Sequence, residues 1–296
     1  MNNSSVETRR LEYLLELRRL GSMVEVARAL GTTTSTVSQQ IAALAAEART
    51  PLLEPDGRRV RLTPAGRRLA DRAVTILAAV EAARMDLDPD GEPVGVLRVS
   101  GFATAIRRSL LPAMVRIARS HPAVQVVVAE HEPYESLALL SSDDIDLALV
   151  YDYDLAPVEQ DDRFEFRPLW AAAWGLGVPH ADAVTGTSLE VFRNFAGREW
   201  IGNSRNRADS DVVRLIGSMA GFDPRVTHRA DGLELVEELI VAGLGVGLLP
   251  MARPVGPGVA LIPLAEPAVT LRAYAAVRRG RQQWSPLALL LERLDA

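Results

Sequence analysis

SMVEVARALGTTTSTVSQQIAALAAEARTPLLEPDGRRVRLTPAG, residues 22–66, is the stretch whose reading decides the fold. Ser22, with Glu25 three residues on, has the form of a capping box, in which each side chain satisfies an orphan backbone N–H of the other. A helix therefore opens here, and Gly31 ends it after Leu30, where a positive φ is commonly needed. Thr33 can cap the next helix, whose Val37, Ile41 and Leu44 fall at i, i+4 and i+7 and form a buried stripe. The other face carries Thr34, Ser35, Ser38, Gln39 and Ala42, with Thr33 and Thr36 at its first turn. Short hydroxyls and amides let a helix lie close to base edges and hydrogen-bond them, which is what reading a major groove requires.

A polar helix face taken alone means no more than solvent. The following segment changes that reading. Pro55-Asp56-Gly57 is a turn, and Arg58-Arg59-Val60-Arg61-Leu62 alternates basic and apolar residues, so it reads as the second strand of a hairpin. A basic hairpin beside a polar-faced helix is a winged helix-turn-helix, with Arg58, Arg59 and Arg61 placed for the phosphates of double-stranded DNA. Ahead of the motif, Leu11, Leu14, Leu15 and Leu20 give a helical stripe that packs under both helices.

A net charge of −5 over 296 residues argues against nucleic acid only when the chain is taken whole. Residues 1–72 hold 12 arginines against 8 acidic residues, whereas the remainder holds 21 against 30. The basic portion is the one that carries the motif. With no cysteine, neither a disulfide framework nor a thiolate metal site is available. No apolar run approaches membrane-spanning length and MNNSSVETRR lacks the apolar core of a signal peptide, so a cytoplasmic protein without a membrane partner is expected.

Thr63-Pro64 starts a further helix, hydroxyl cap then proline at the first helical position. Inside it Leu69, Ala73, Ile76, Val80, Ala83 and Leu87 are spaced 4-3-4-3-4, a heptad seam suited to pairing with an identical helix. The alternative is an amphipathic helix lying on its own chain's core. A small winged domain is near the lower limit of independent stability, and two copies can read half-sites ~34 Å apart, so a homodimer or homotetramer is expected. Arg67 and Arg68 sit in the first turn, where the helix dipole disfavours cations and nearby phosphates would offset the cost. Residues 86–94, DLDPDGEPV, read as a linker.

Beyond the linker, strands alternate with helices. Val96–Ser100, Val124–Ala129 and Ile145–Tyr151 are short apolar strands separated by helices at 104–120 and 133–140. The alternation returns with strands at 198–201, 225–228 and 246–249 and helices at 209–220 and 232–242. This is an α/β pattern, a parallel sheet covered on both faces and arranged as two lobes. Ligands in such sheets bind at the carboxyl ends of strands, near helix N-termini.

The whole chain resembles a LysR-type transcriptional regulator. The resemblance rests on Gly21-Ser22, Val26-Ala27, Ser38-Gln39-Gln40-Ile41 with Leu44, and Leu62-Thr63-Pro64-Ala65-Gly66 in the first domain. In the second it rests on Leu110-Leu111-Pro112, His121-Pro122, Asp146-Leu147-Ala148, and Ala242-Gly243-Leu244-Gly245-Val246-Gly247 before Leu249-Pro250. Thr34 and Gln39 stand where the family usually has glutamine and arginine, and Leu44-Ala45, Arg49-Thr50 and Leu52-Leu53-Glu54-Pro55 depart from its usual pattern. The base sequence read is therefore expected to be unusual.

The resemblance implies a winged helix-turn-helix over residues 1–63, a linker and dimerisation helix over 64–89, and a periplasmic-binding-protein-like effector domain over 90–296. Lobe one is expected at 90–163 and 268–296, lobe two at 164–267. It also implies a small-molecule effector in the cleft between lobes, at Ser100, Gly101, Thr104, Glu130, Tyr151, Asn203 and Ser204. Hydroxyls that precede helices favour a carboxylate or other polar anion there. Arg205 and Arg207 are expected in solvent, and Trp170, Trp174 and Trp200 in lobe core.

An enzyme and a transport solute-binding protein are the rival classes. GLGVG at 243–247 follows a helix and leads into a strand, the reverse of the order a dinucleotide loop needs. The histidines at 121, 131, 180 and 228 lack metal-ligand spacing, and no G-x-S-x-G turn is present. Neither catalysis nor a cofactor is expected. The absent export signal and the N-terminal domain weigh against a transport role.

Overall fold

The structure, a computed structural model, describes residues 7–56, 59–87, 92–157 and 161–294. Helices α1 (Thr8–Leu20), α2 (Met23–Ala29) and α3 (Thr34–Glu47) close around Leu11, Leu14, Val26, Val37, Ile41 and Leu44, all buried. Gly21 and Gly31 turn the chain out of α1 and α2 at φ of 65° and 60°. Thr33 caps α3, its Oγ1 accepting the Thr36 N–H at 3.1 Å. The capping box expected at Ser22 does not form. Ser22 holds the N-cap position without a side-chain bond, and Glu25 instead accepts from Arg28 at 2.6 Å, one turn along.

Strands β1 (Leu53–Asp56) and β2 (Arg59–Leu62) form the antiparallel wing, with Leu53 opposite Leu62 and Glu54 opposite Arg61. Gly57 and Arg58, between the two strands in sequence, lie outside the described residues. Helix α4 (Pro64–Leu87) begins at Thr63, whose Oγ1 accepts the Gly66 N–H at 3.0 Å. A Cβ at Gly66 would overlap the Leu52 carbonyl, so only glycine lets helix and wing approach this closely. Arg67 donates to the Leu62 carbonyl at 2.7 Å, a partner within the chain for the cation the dipole disfavours.

The heptad stripe on α4 divides. Ala73 is fully buried in the core made by Leu11, Leu14, Leu44, Leu52, Leu62 and Ala70, and Leu69 packs on that core. Ile76 and Ala83 are exposed and Val80 is half-buried, while the side chain of Leu87 is outside the description. The surface open to a partner helix is thus narrower than the sequence seam, because the same period serves the chain's own core.

In the effector domain β3 (Gly95–Gly101) lies parallel to β4 (Val124–Glu130) and to β5 (Leu147–Tyr153), which is buried on both faces. Between β3 and β4 the chain runs through α5 (Ala103–Ala105), a π-helical turn (Ile106–Leu110) and α6 (Leu111–Ser120). Helix α7 (Pro133–Ser142) joins β4 to β5. The long strand β6 (Phe164–Pro179) follows, then α8 (Ser188–Asn194), β7 (Glu199–Gly202), α9 (Ala208–Ala220), β8 (Arg225–Arg229), α10 (Leu233–Val241), β9 (Val246–Pro250), β10 (Val259–Pro263), β11 (Thr270–Arg278) and α11 (Ser285–Leu294).

The sheet runs β4-β3-β5-β11-β6-β9-β7-β8, with β10 also on β6. It is parallel within each lobe, as expected, but β6 and β11 are antiparallel and tie the lobes together. Residues 164–173 of β6 pair with β11, and from Trp174 onward β6 pairs with β9 and β10. β6 thus changes partners within its own length. One apolar core spans both lobes, from Leu97 and Val99 to Trp200 and Val212.

Candidate functional site

Two surfaces carry the candidate chemistry. On α3, Val37, Ile41 and Leu44 face the core, and Thr33, Thr34, Ser35, Ser38, Gln39 and Ala42 are exposed, with Thr36 half-buried. The helix thus presents an unobstructed polar face beside the wing. Thr33 and Thr36 share a hydroxyl contact of 2.9 Å, so both are partly engaged with each other. Arg61 pairs through Nε with Glu54 at 3.0 Å, which reduces its charge available to a phosphate. Arg58 lies outside the described residues, and for Arg59 only the backbone is described, in β2.

The second surface is a cavity of about 510 Å³ between the lobes. Its first-lobe wall comes from Phe102, Thr104, Arg107 and Arg108 after β3, Glu130 and Glu132 after β4, and Tyr151 on β5. Asn203, Asp209, Asp231 and Glu234 come from the second lobe, and Trp170 and Trp174 from β6. The π-helical turn places Arg108 over the Trp170 ring, 4.4 Å from its centroid, and lets Ser109 accept from Trp170 Nε1 at 3.0 Å. Arg205 bridges the lobes, reaching Asp231 at 2.9 Å and Glu135 at 3.4 Å.

A family model described as the LysR substrate binding domain matches residues 90–296, and one described as bacterial regulatory helix-turn-helix protein, lysR family, matches residues 8–67. The chain belongs to the LysR family. A probable hydrogen peroxide-inducible genes activator of Streptomyces viridosporus is 30% identical over 257 residues, covering 82% of this chain and 78% of that protein. The hydrogen peroxide-inducible genes activator of Pectobacterium carotovorum subsp. carotovorum is 27% identical over 244 residues, covering 82% and 79%. A full-length OxyR variant from Pseudomonas aeruginosa shares the fold with a TM-score of 0.72 over 98% of each chain at 17% identity.

This LysR-family chain is a DNA-binding transcription regulator with an effector-binding domain. Of the effector residues expected in it, Thr104, Glu130, Tyr151 and Asn203 line the cleft. Ser100, Gly101 and Ser204 do not. Ser100 is buried and bonded to Ser136 at 2.9 Å and His131 at 3.0 Å. Gly101 lies against Leu149, and the Ser204 hydroxyl donates to Asp231 at 2.5 Å. Trp200 is core, as expected, whereas Trp170 and Trp174 are half-buried walls of the cleft.

The electrostatics of the regulator's cleft run against the anion expected at these helix starts. Its arginines are engaged or peripheral: Arg108 lies on Trp170, Arg253 is clasped by Glu234 and Glu237, and Arg107 is exposed at the mouth. Glu132 is 5% exposed and accepts from the Tyr151 hydroxyl at 3.2 Å. Burial, then the nearby Asp209 charge, raises its carboxyl from 4.5 to about 7. Burial likewise raises Asp209 from 3.8 to about 6. Sequence reasoning missed both residues, although Glu132 stands just two positions past Glu130.

Proposed function

We propose that two copies of this regulator, joined in part through α4, hold double-stranded DNA with their α3 helices in neighbouring major grooves. Thr34, Ser35, Ser38 and Gln39 read base edges, and the wing arginines sit at phosphates. The observation that carries this reading is the α3 face itself, polar, exposed and flanked by the wing, while its apolar side is consumed by the core. A small molecule bound between the lobes changes their packing and so the spacing of the paired heads. It need only discriminate between two arrangements by a few kcal/mol. Such a protein works in the cytoplasm, where its DNA lies.

The two curated relatives are named as activators of hydrogen peroxide-inducible genes. This chain holds no cysteine, so thiol oxidation is not open to it as a means of control. A non-covalent effector in the cleft suits such a chain.

Binding of the purified chain to its own upstream DNA tests the reading. The affinity is expected to fall steeply with salt, and the footprint to span two half-sites about one helical turn apart. A salt-insensitive affinity, or none for any genomic fragment at low salt, would overturn it.

A further inference from the structure

We propose that the inter-lobe cleft takes a small organic cation, a protonated amine carried on an aromatic or apolar body. The inference rests on the reading of this cleft as the effector site and adds the chemical class of its occupant. Three observations carry it. The first is a pair of acidic side chains that the protein leaves without a counter-ion. Glu132 and Asp209 both border the cleft, and neither makes an ion pair among the described residues. The neighbouring acids do: Asp231 is held by Arg205, and Glu234 by Arg253.

The second is an incomplete hydrogen-bond set. Asp209 Oδ1 is sealed from water with the buried Tyr153 hydroxyl as its neighbour, and the two do not close a well-formed hydrogen bond. A buried carboxylate oxygen in that state is costly unless a donor arrives. An ammonium group brings up to three donors and a full positive charge.

The third is the wall. Phe102 and Tyr151 meet edge to face at 4.7 Å, Phe102 and Trp170 are 6.2 Å apart, and Trp174 stands on the same wall, backed by buried Tyr153 at 5.7 Å. Arg108 already lies on the Trp170 ring, so one of these faces is accepting a cation within the chain. Negative ring faces beside sealed carboxylates form a recognition surface for alkylammonium groups. An anion would meet the same carboxylates as a repulsion, with Arg108 and Arg253 turned to other partners and Arg107 out at the mouth.

The experiment compares three probes of matched shape, phenethylamine, 2-phenylethanol and 3-phenylpropionate, on the full chain. Thermal stability reports binding by mass action, and tryptophan fluorescence reports it from Trp170 and Trp174 on the wall. The amine is expected to bind best, and Glu132→Gln and Asp209→Asn each to weaken it by roughly tenfold or more without changing binding of the alcohol. Gln keeps the acceptor oxygen that Glu132 supplies at the start of α7, and the wild-type comparison of the three probes needs no variant. Preference for the alcohol or the carboxylate overturns the cation and leaves the cleft as an effector site. No response to any of the three overturns both.

Discussion

Arg278 on β11 donates from Nη1 to Asp71 Oδ1 on α4 at 3.1 Å, so the effector sheet is joined directly to the linker helix. Its Nε also reaches Asp143 at 2.6 Å and the Leu140 carbonyl at 3.1 Å. From the winged domain, Arg18 reaches the same two carboxylates, Asp71 at 2.7 Å and Asp143. Two buried guanidiniums and two carboxylates thus meet where α1, α4 and the first lobe come together. Burial holds both arginines below their usual range, Arg18 at about 10, so the network stands only while all partners are present.

Replacing Arg278 with alanine leaves Asp71 and Asp143 with one cation fewer and removes the guanidinium donors to the Leu140 and Ser141 carbonyls. Breaking a buried pair from one side typically costs about 3–5 kcal/mol. The expected result is a lower urea midpoint and faster proteolysis between the winged and effector domains, with Arg278→Met less severe. A midpoint within error of wild type would show that the domains do not depend on this junction.

Stability should fall as pH rises through the window from 4.5 to about 7, because the folded chain keeps a proton on Glu132 that the unfolded chain has released. The carboxyl sits at 5% exposure, and the shift corresponds to a contribution on the order of 3 kcal/mol, present at the acid end and lost at the alkaline end. Asp209, raised from 3.8 to about 6, acts in the same direction over a lower window. Glu132→Gln mimics the protonated form. Urea unfolding should find it equal to wild type near pH ~4, below the window, and more stable near pH ~8, and parallel profiles would remove the assignment.

The winged domain was legible in the sequence because its signals are local. Gly31, Thr33 and the Val37, Ile41, Leu44 stripe each act within one or two turns of chain, and all three fall where the pattern puts them. The crossing strands are different. Residues 164–179, FEFRPLWAAAWGLGVP, mix Pro168 with small residues and show no clean alternation, since their neighbours change from β11 to β9 and β10 along the strand. Cleft membership was half legible. Strand ends mark where the cleft must lie, but whether Ser100 looks into it or into Ser136 and His131 depends on elements distant in sequence. Nothing in the order of residues distinguishes exposed Glu130 from buried Glu132.

Ser38 and Gln39 are both exposed on α3 and outside its core stripe, so their loss should leave folding intact. Replacing both with alanine is expected to weaken binding to the cognate site by about 1–3 kcal/mol per lost base contact. Non-specific affinity and its salt slope should not change, since the phosphate contacts remain. Competition footprinting with and without excess random DNA separates the two, and an unaltered specific footprint would move base reading to another element.

The divided stripe on α4 makes its own prediction about assembly. Ala73 is enclosed by the winged core, so enlarging it tests folding and says nothing about partners. Ile76 is 40% exposed on the same helix, a large apolar side chain left facing outward where pairing with a second copy would cover it. A charge there has little to disturb in the monomer but meets its own copy across a two-fold seam. Ile76→Glu is therefore expected to shift sedimentation toward monomer and to weaken DNA binding through loss of the second half-site, with the thermal midpoint at high protein concentration lowered and its concentration dependence reduced. An Ile76→Glu chain that sediments as wild type would place the interface between copies elsewhere than this face of α4.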